Sequence, residues 1–157
     1  MRIFTTNFSL IFIFLISCSS EPQYQPVTHF NPNRDVHLDL LNAIKEAQRS
    51  ERHILLDVGG DWCVWCKKLD RFFNENSDIN KFMHANYVVM KVNYSPENKN
   101  ENFLSQYPKI SGYPHFFVLN QNGQLIHSQE TGSLESGDKH DRDEVFAFLK
   151  KWTIARD

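Results

Sequence analysis

The chain has 157 residues, a hydrophobic fraction of 41% and a formal net charge of −2. This length is enough for one domain with its own core, and the composition excludes a disordered chain. The near-neutral charge excludes a general electrostatic surface for nucleic acid, and no run of like charges is long enough to form a basic or acidic tail.

Residues 1–17 predict a secretory signal peptide. An arginine precedes an apolar stretch over residues 8–16, which is shorter than the roughly 20 residues that span a bilayer. The letters LISC at residues 15–18 resemble the lipobox of bacterial lipoproteins, which implies cleavage before Cys18 and lipidation of its sulfur. By the same resemblance, Ser19 favours the outer membrane. Ordinary cleavage nearby, which leaves Cys18 as a plain thiol, is the alternative.

Residues 18–34 predict a tether to a domain at residues 35–157, since they hold three prolines and no apolar period. From Asp35 onward apolar residues recur near helical spacing, and Asp35 is suited to cap the helix. The expected elements after it are a buried strand over 53–59, a helix over about 63–73, a helical turn or two over 78–84, a strand over 87–94, a short helix near 101–106, a strand over 115–120, its hairpin partner over 124–129, and a closing helix over 144–152.

This order of elements is typical of an α/β protein. The strand–helix–strand units predict parallel central strands with right-handed crossovers. Asn122-Gly123 predicts a tight turn that adds an antiparallel strand at the edge, and residues 132–141 predict a loop. We therefore expect a sheet with helices on both of its faces.

Two cysteines that the lipobox does not use, Cys63 and Cys66, form a C-x-x-C motif. A secreted chain held together by disulfides usually carries more cysteines at wider spacings, so this pair favours redox chemistry. Half of a zinc site and an inert structural disulfide are the alternatives. Zinc usually requires four ligands, or three and a water, and the seven histidines include no H-x-x-x-H pair. We expect no metal.

The predicted helix gives the two sulfurs different roles. In the first helical turn, the Cys63 thiolate lies near unpaired backbone N–H groups and the positive end of the helix dipole. Both favour the charged form, so the pKa of Cys63 should fall below the ordinary value of about 8.5. Cys66 lies one turn later and deeper, within reach of Cys63. This asymmetry predicts a nucleophile at Cys63 and a resolving thiol at Cys66.

LLDVGGDWCVWCKK at residues 55–68 resembles the active-site segment of the thioredoxin superfamily. The shared features are an Asp six residues before the first Cys, a Trp directly before it, and a Lys after the second Cys. A second match lies at residues 107–123, where Pro114 falls on the cis-proline of the family. The resemblance covers residues 35–155, and the W-C-x-W-C-K-K-L pattern is similar to secreted bacterial thioredoxin-like proteins.

The resemblance implies a thioredoxin fold, with a central mixed sheet, helices on both faces and an extra N-terminal helix. It implies that Pro114 is cis and packs against Cys63, and that the backbone of Tyr113 binds a substrate segment as an added strand. It also implies that Asp57 is buried behind Cys66 and takes its proton through water, with a pKa raised by burial. A trans Pro114 and an Asp57 bonded only to backbone remain as alternatives.

The residues around the cysteines are expected to contact substrate. The resemblance implies that Trp62 shields the sulfurs and offers a contact surface, and that Trp65 contacts substrate, although packing explains Trp65 and Tyr113 almost as well. Val64 and Trp65 replace the Gly-Pro of thioredoxin and add no charge, so they do not predict a reduction potential. Other departures from the family pattern are the glycines at 59 and 60, which predict a more open surface, and His115, which is expected to be structural.

These features predict a thiol–disulfide oxidoreductase that acts on protein disulfides outside the cytoplasm, more as a reductase or interchange enzyme than as an oxidant. The expected partners are protein clients with thiols or disulfides, a redox partner protein, and a membrane reached through Cys18. We expect a monomer with no dissociable cofactor and no nucleic acid. The alternatives are a thioredoxin-fold client-binding or chaperone module without redox turnover, and a metal-handling lipoprotein.

Overall fold

The computed structural model describes residues 23–155 and leaves the predicted signal peptide and Cys18 outside its description. Its helices are α1 (Val36–Ser50), α2 (Val64–Glu75), α3 (Ser77–Asn86), α4 (Glu101–Leu104) and α5 (Arg142–Lys151). Its strands are β1 (His53–Gly59), β2 (Tyr87–Asn93), β3 (His115–Leu119), β4 (Leu125–Glu130), β5 (Glu135–Ser136) and β6 (Lys139–His140). None of the helices within residues 23–155 has the length and apolar character needed to cross a bilayer.

The predicted helices and strands are confirmed in kind and order, with differences at their ends. Asp35 caps α1 as predicted, because its carboxylate accepts the backbone N–H groups of His37 and Leu38. The helical turn predicted near residue 78 is a full helix, α3. The predicted loop at residues 132–141 is also more ordered than expected, since it contains part of a 3-10 turn and the small β5–β6 hairpin.

The main sheet is mixed, with the strand order β2-β1-β3-β4. Strand β1 pairs in parallel with β2, as the strand–helix–strand pattern predicts. The expectation of parallel central strands is wrong for β3, which pairs antiparallel to β1, and β4 pairs antiparallel to β3. The reason is that the connection from β2 returns at the end of the sheet where β2 stops, since Tyr94 after β2 stacks on Tyr113 before β3, and β3 must therefore run back in the opposite direction.

Alternate residues of β1 face two apolar layers. Ile54, Leu56 and Val58 belong to one cluster, together with Ala43 and Ala47 of α1. Leu55 belongs to a second cluster on the other face, formed with side chains from α2, α3 and α5. Because side chains alternate along a strand, Asp57 points to the same face as Leu55. The core therefore surrounds an acidic residue near the carboxyl end of its central strand.

Part of the segment predicted as a tether is packed against the sheet. The Val27 backbone forms a parallel bridge with Met90, and its carbonyl accepts the Lys91 N–H at 3.0 Å. Val27 and Phe30 are buried side chains, with 5% and 8% of their surface exposed. Residues 27–30 therefore belong to the folded unit. A single bridge has no repeating pattern, so the sequence carries no periodic sign of it.

Candidate active site

Cys63 and Cys66 are joined by a disulfide at the amino end of α2, with their Cα atoms 5.2 Å apart. Cys63 is the N-cap residue of α2, one position before the helical turn in which it was predicted. Its Sγ accepts the backbone N–H of Cys66 at 3.0 Å. After reduction, the same donor and the helix dipole are positioned to favour a thiolate at Cys63.

An exposed aromatic side chain borders the disulfide. Trp62 precedes Cys63 and is 51% exposed, while Val64 follows it and is 65% exposed. The indole N–H of Trp62 donates to the carbonyl of Tyr94 at 2.6 Å, which fixes the ring beside the cysteines. The Trp62 ring also meets the ring of Tyr113 edge-on, at 5.7 Å between centroids. The cysteines themselves are buried, with 3% and 2% exposure, so the apolar surface surrounds them without leaving the sulfurs open.

The peptide bond between Tyr113 and Pro114 is cis, which confirms the prediction. Pro114 is buried, and its carbonyl accepts a hydrogen bond from the hydroxyl of Thr131. Tyr113 is partly buried and packs against the cluster that contains the two cysteines. Its ring also stacks on Tyr94, at 4.7 Å between centroids. The segment before β3 therefore lies next to the disulfide, as the family resemblance implies.

Asp57 is buried on the α2 side of the sheet. One carboxylate oxygen accepts from Lys91 Nζ at 2.9 Å, and the other has no hydrogen-bond partner within the described residues. Burial raises the pKa of Asp57, and the nearby Lys91 charge only partly opposes this effect. The carboxylate is thus bonded to a side chain and not to the backbone, and it holds a proton more readily than an exposed Asp.

Lys91 is a functional candidate that sequence reasoning missed. It stands opposite Asp57 in the β1–β2 register and also donates to Asp70 at 2.7 Å. Burial alone would lower the pKa of Lys91, but the charges and hydrogen bonds of Asp57 and Asp70 outweigh this and raise it. A signal was available, because this lysine interrupts an otherwise apolar strand. The partner 34 residues away was not visible from the local pattern.

A cavity of about 320 Å³ lies beside Asp57, between α2, α3 and the N-terminal segment. Asp57, Asp70, Asn80 and Lys91 are among the eight polar residues that line it. A space of this size with several polar groups is roomy enough for water. It therefore gives the buried carboxylate a place to exchange a proton.

The glycines before the cysteines do not open the surface, and this expectation is wrong. A Cβ on Gly59 would lie 2.5 Å from Cys66 Sγ, and one on Gly60 would lie 2.7 Å from the Tyr94 carbonyl. Both distances are too short for a real contact, so neighbouring groups already fill these positions. The glycines allow the Cys66 sulfur and the Trp62 ring to approach the backbone closely.

Trp65 is held by the β5–β6 hairpin, which the sequence predicted as a loop. The ring of His140, on β6, meets it edge-on at 5.6 Å, and Lys68 Nζ lies 4.1 Å from the centroid of the Trp65 ring. His140 is buried, which lowers its pKa and favours the neutral imidazole. Trp65 is therefore partly a packing residue, and the exposed aromatic surface beside the disulfide comes mainly from Trp62.

His115 has a structural environment. Its Nε2 is 2.9 Å from the hydroxyl of Ser128, and its ring lies 4.7 Å from that of Phe117. The alternation along β3 places it on the opposite face of the sheet from Phe116, which pairs with Asp57. Burial lowers the pKa of His115, so it is held neutral.

A family model described as thioredoxin-like matches residues 35–121, which is more than half of the chain. The chain belongs to the thioredoxin-like family. It is similar to the thiol:disulfide interchange protein DsbD of Salmonella typhimurium, with 26% identity over 77% of this chain and 22% of that protein. It is also similar to the disulfide bond reductase DsbH of Chlamydia pneumoniae, with 26% identity over 54% of this chain and 55% of that protein. The chain therefore spans about a fifth to about half of these relatives.

Solved structures share the thioredoxin fold of this chain. A disulphide isomerase from Xylella fastidiosa matches 78% of the chain and 94% of its own, with a TM-score of 0.67 and 20% identity. The oxidised C-terminal domain of DsbD from Neisseria meningitidis matches 78% of the chain and 97% of its own, with a TM-score of 0.55 and 16% identity. At these identities the likeness establishes the fold, including the mixed sheet with helices on both faces.

Residues 23–155 contain no group of three or more His, Cys, Asp or Glu side chains arranged to hold a metal ion. The site is thus described by its disulfide at the start of α2, the cis-proline segment beside it, and the buried Asp57–Lys91 pair near the end of β1.

Replacing Gly59 with alanine should destabilise the oxidised protein. The new Cβ must displace the Cys66 sulfur or the Phe30 ring, and overpacking of this kind costs about 1–3 kcal/mol. Urea unfolding of the oxidised protein measures the change. Gly112→Ala is the matched control, because its Cβ would meet nothing closer than 4.0 Å. Equal stability of the two variants would contradict the close approach at Gly59.

Replacing Asp57 with asparagine should change how stability depends on pH. The pKa of the folded carboxyl is raised above 3.8, so the unfolded chain releases this proton first as the pH increases. The contribution of Asp57 to stability is therefore full below about pH 4 and is lost as the pH rises toward its folded pKa. The wild-type protein should therefore lose stability relative to Asp57→Asn between about pH 4 and about pH 8. The difference in free energy of unfolding, variant minus wild type, should increase over this range.

Asp70→Asn is the control for this experiment, since it removes the other carboxylate bonded to Lys91 from a side chain that is 49% exposed. Because this variant keeps Asp57, the loss of stability with rising pH that Asp57 causes should persist in it. A difference between Asp57→Asn and wild type that stays constant with pH would show that the carboxyl has an ordinary pKa.

Proposed function

We propose that this protein is a thiol–disulfide oxidoreductase whose Cys63–Cys66 pair cycles between disulfide and dithiol while it exchanges with client proteins. The observation that carries the proposal is the disulfide at the amino end of α2, where the Cys63 sulfur accepts the Cys66 N–H. That hydrogen bond favours a charged sulfur at Cys63, and a thiolate is the reactive form in exchange.

Reduction of a client disulfide takes two exchange steps. The Cys63 thiolate attacks one client sulfur, a Cys63–client disulfide forms, and the second client sulfur leaves as a thiolate. Cys66 then loses its proton and attacks Cys63 Sγ, which restores the Cys63–Cys66 disulfide and releases the first client sulfur as a thiolate. The two electrons gained by the client come from the Cys63–Cys66 dithiol, so a redox partner protein must reduce the pair again.

We assign the proton from Cys66 to Asp57. Burial raises the pKa of Asp57, so its carboxylate accepts a proton more readily than that of an exposed Asp, as a general base requires. Water in the cavity beside Asp57 can take the proton on from the carboxyl group, which then returns to its charged form. Lys91 lowers the free-energy cost of the buried Asp57 carboxylate, because it places an opposite charge 2.9 Å away.

We infer that clients bind across the exposed rim of the disulfide. Trp62 and Val64 offer apolar surface beside Cys63, and the Tyr113–Pro114 segment lies next to the cysteines with backbone groups available to an extended client. Trp65 contributes less than Trp62, since the β5–β6 hairpin covers part of its ring.

We propose that the protein passes electrons to client disulfides or rearranges them, and that it is not a net oxidant. Relatives of this chain carry the names thiol:disulfide interchange protein and disulfide bond reductase. We propose that the protein acts on protein thiols and disulfides outside the cytoplasm, and the predicted signal peptide at residues 1–17 supports this location.

The mechanism predicts different behaviour for the two cysteine variants. Cys66→Ser should accumulate mixed disulfides through Cys63 with a disulfide-bonded client such as insulin, because the resolving thiol is gone. Cys63→Ser should trap little or none. Non-reducing gels and peptide mapping detect the adducts, and turbidity during insulin reduction measures turnover by the intact protein.

Absence of trapped adducts together with absence of turnover would reject the oxidoreductase proposal. If a Cys63→Ser, Cys66→Ser double variant still protected unfolding clients from aggregation, a client-binding module would be the better description.

We also propose that a lipid on Cys18 anchors the protein to the cell envelope, on the outer membrane and facing the periplasm. The proposal is supported by the LISC motif and by the apolar stretch before it. Only eight residues separate Cys18 from Val27, the first residue paired with the sheet, so the chain allows a reach of at most about 30 Å.

Cys18→Ala should prevent lipidation in a bacterial host. The intact mass of the wild-type protein should exceed that of the processed chain by a lipid, and the variant should lose both this mass and its membrane association. Membrane fractionation and mass spectrometry measure the two effects, and Ser20→Ala serves as the control. A wild-type protein of unmodified mass would reject the anchor.

A further inference from the structure

Phe30 packs against the disulfide from a segment that lies outside the C-x-x-C motif. Only 8% of its surface is exposed, and it forms one apolar cluster with Cys63 and Cys66. Phe30 takes no part in either exchange step, so its contact with the cysteines has a different role.

The Phe30 ring and the Cys66 sulfur meet over the backbone of Gly59. The Cβ position of Gly59 lies 2.5 Å from Cys66 Sγ and 3.1 Å from Phe30 Cζ, so the ring and the sulfur occupy adjoining space. Lys91 Nζ lies 4.2 Å from the centroid of the same ring. Phe30 therefore covers Cys66 on the side where Lys91 and Asp57 lie.

The backbone on both sides of Phe30 is fixed. Before it, the Val27 carbonyl accepts the N–H of Lys91 at 3.0 Å. After it, the Pro32 carbonyl accepts the side-chain amide of Asn98 at 2.8 Å. These two hydrogen bonds fix the backbone on both sides of Phe30 and so keep its ring against the sulfur.

The two sulfurs therefore have different surroundings. Cys63 is flanked along the chain by exposed Trp62 and Val64, on the rim that a client would cover. Cys66 lies one helical turn further in, against Gly59 and Phe30. A reagent that approaches Cys66 from the Phe30 side must first displace an aromatic ring.

We propose that Phe30 is a positioning residue that shields Cys66 and thereby confines disulfide exchange with other molecules to Cys63. Exchange at Cys63 breaks the Cys63–Cys66 bond, forms a Cys63–client bond and releases Cys66 as a thiolate. Exchange at Cys66 would instead place the client on the buried sulfur and release Cys63 as the thiolate. The Phe30 ring disfavours this second route. The consequence for clients rests on the proposed function, whereas the shielding itself does not.

The reactivity of Cys66 alone tests the shield without any client. In reduced Cys63→Ser protein, iodoacetamide should alkylate Cys66 slowly. Adding Phe30→Ala in this background should raise the rate about tenfold, because the thiol becomes accessible. Peptide mapping by mass spectrometry separates the Cys66 label from any label on Cys18.

Two further variants control for packing and stability. Phe30→Leu in the same background should keep most of the protection, since a branched apolar side chain still covers the sulfur. Phe148→Ala removes a ring with 5% exposure from α5, in a different apolar cluster, and should leave the alkylation rate of Cys66 unchanged. Thermal unfolding of each variant confirms that the alkylation is measured on folded protein.

The protein with both cysteines provides a test that needs no Phe30 variant. When its disulfide is opened by a thiol peptide, the mixed disulfide should map to Cys63. Comparable amounts on Cys63 and Cys66, or an alkylation rate of Cys66 that Phe30→Ala does not change, would overturn the shield. Either result is separate from the client-reduction assay, which tests the oxidoreductase proposal itself.

Discussion

The central position of β1 is the constraint on which the site depends. Neighbouring strands pair with both of its edges and apolar layers cover both of its faces, so the chain can carry Asp57 there only as a buried group. The end of β1 also sets the start of α2, and it therefore sets the place where Cys63 meets the N–H of Cys66. The acid and the sulfurs are thus positioned by one strand and the turn that follows it.

The sequence was sufficient for the parts of the site that are local. Cys63, Cys66 and Asp57 lie within ten consecutive residues, and their relation follows from a strand that leads into a helix. The cis bond before Pro114 was predicted from family resemblance, because nothing in the local composition distinguishes it from a trans turn. Lys91 could not be matched to Asp57 in this way, since their contact depends on strand register.

Strand direction and irregular segments were harder to predict because they too depend on contacts between residues that are distant in sequence. The pattern of β3 indicates a buried strand, yet its neighbour and direction are decided by where the long connection from β2 returns to the sheet. Phe30 lies in a proline-containing segment without periodicity, and its burial depends on a surface formed by residues distant in sequence. The β5–β6 hairpin was predicted as a loop because two-residue strands are too short to show alternation.

The attachment of the N-terminal segment to β2 has a mechanical consequence. A force that pulls on the chain before Tyr24 acts first on the packing of that side chain against the core, and then on the hydrogen bond between the Val27 carbonyl and the Lys91 N–H at the edge of the sheet. Phe30 follows three residues later, so the bridge must open before tension reaches the ring. The bridge therefore bears a force applied at the amino end before that force can shift Phe30 or the disulfide.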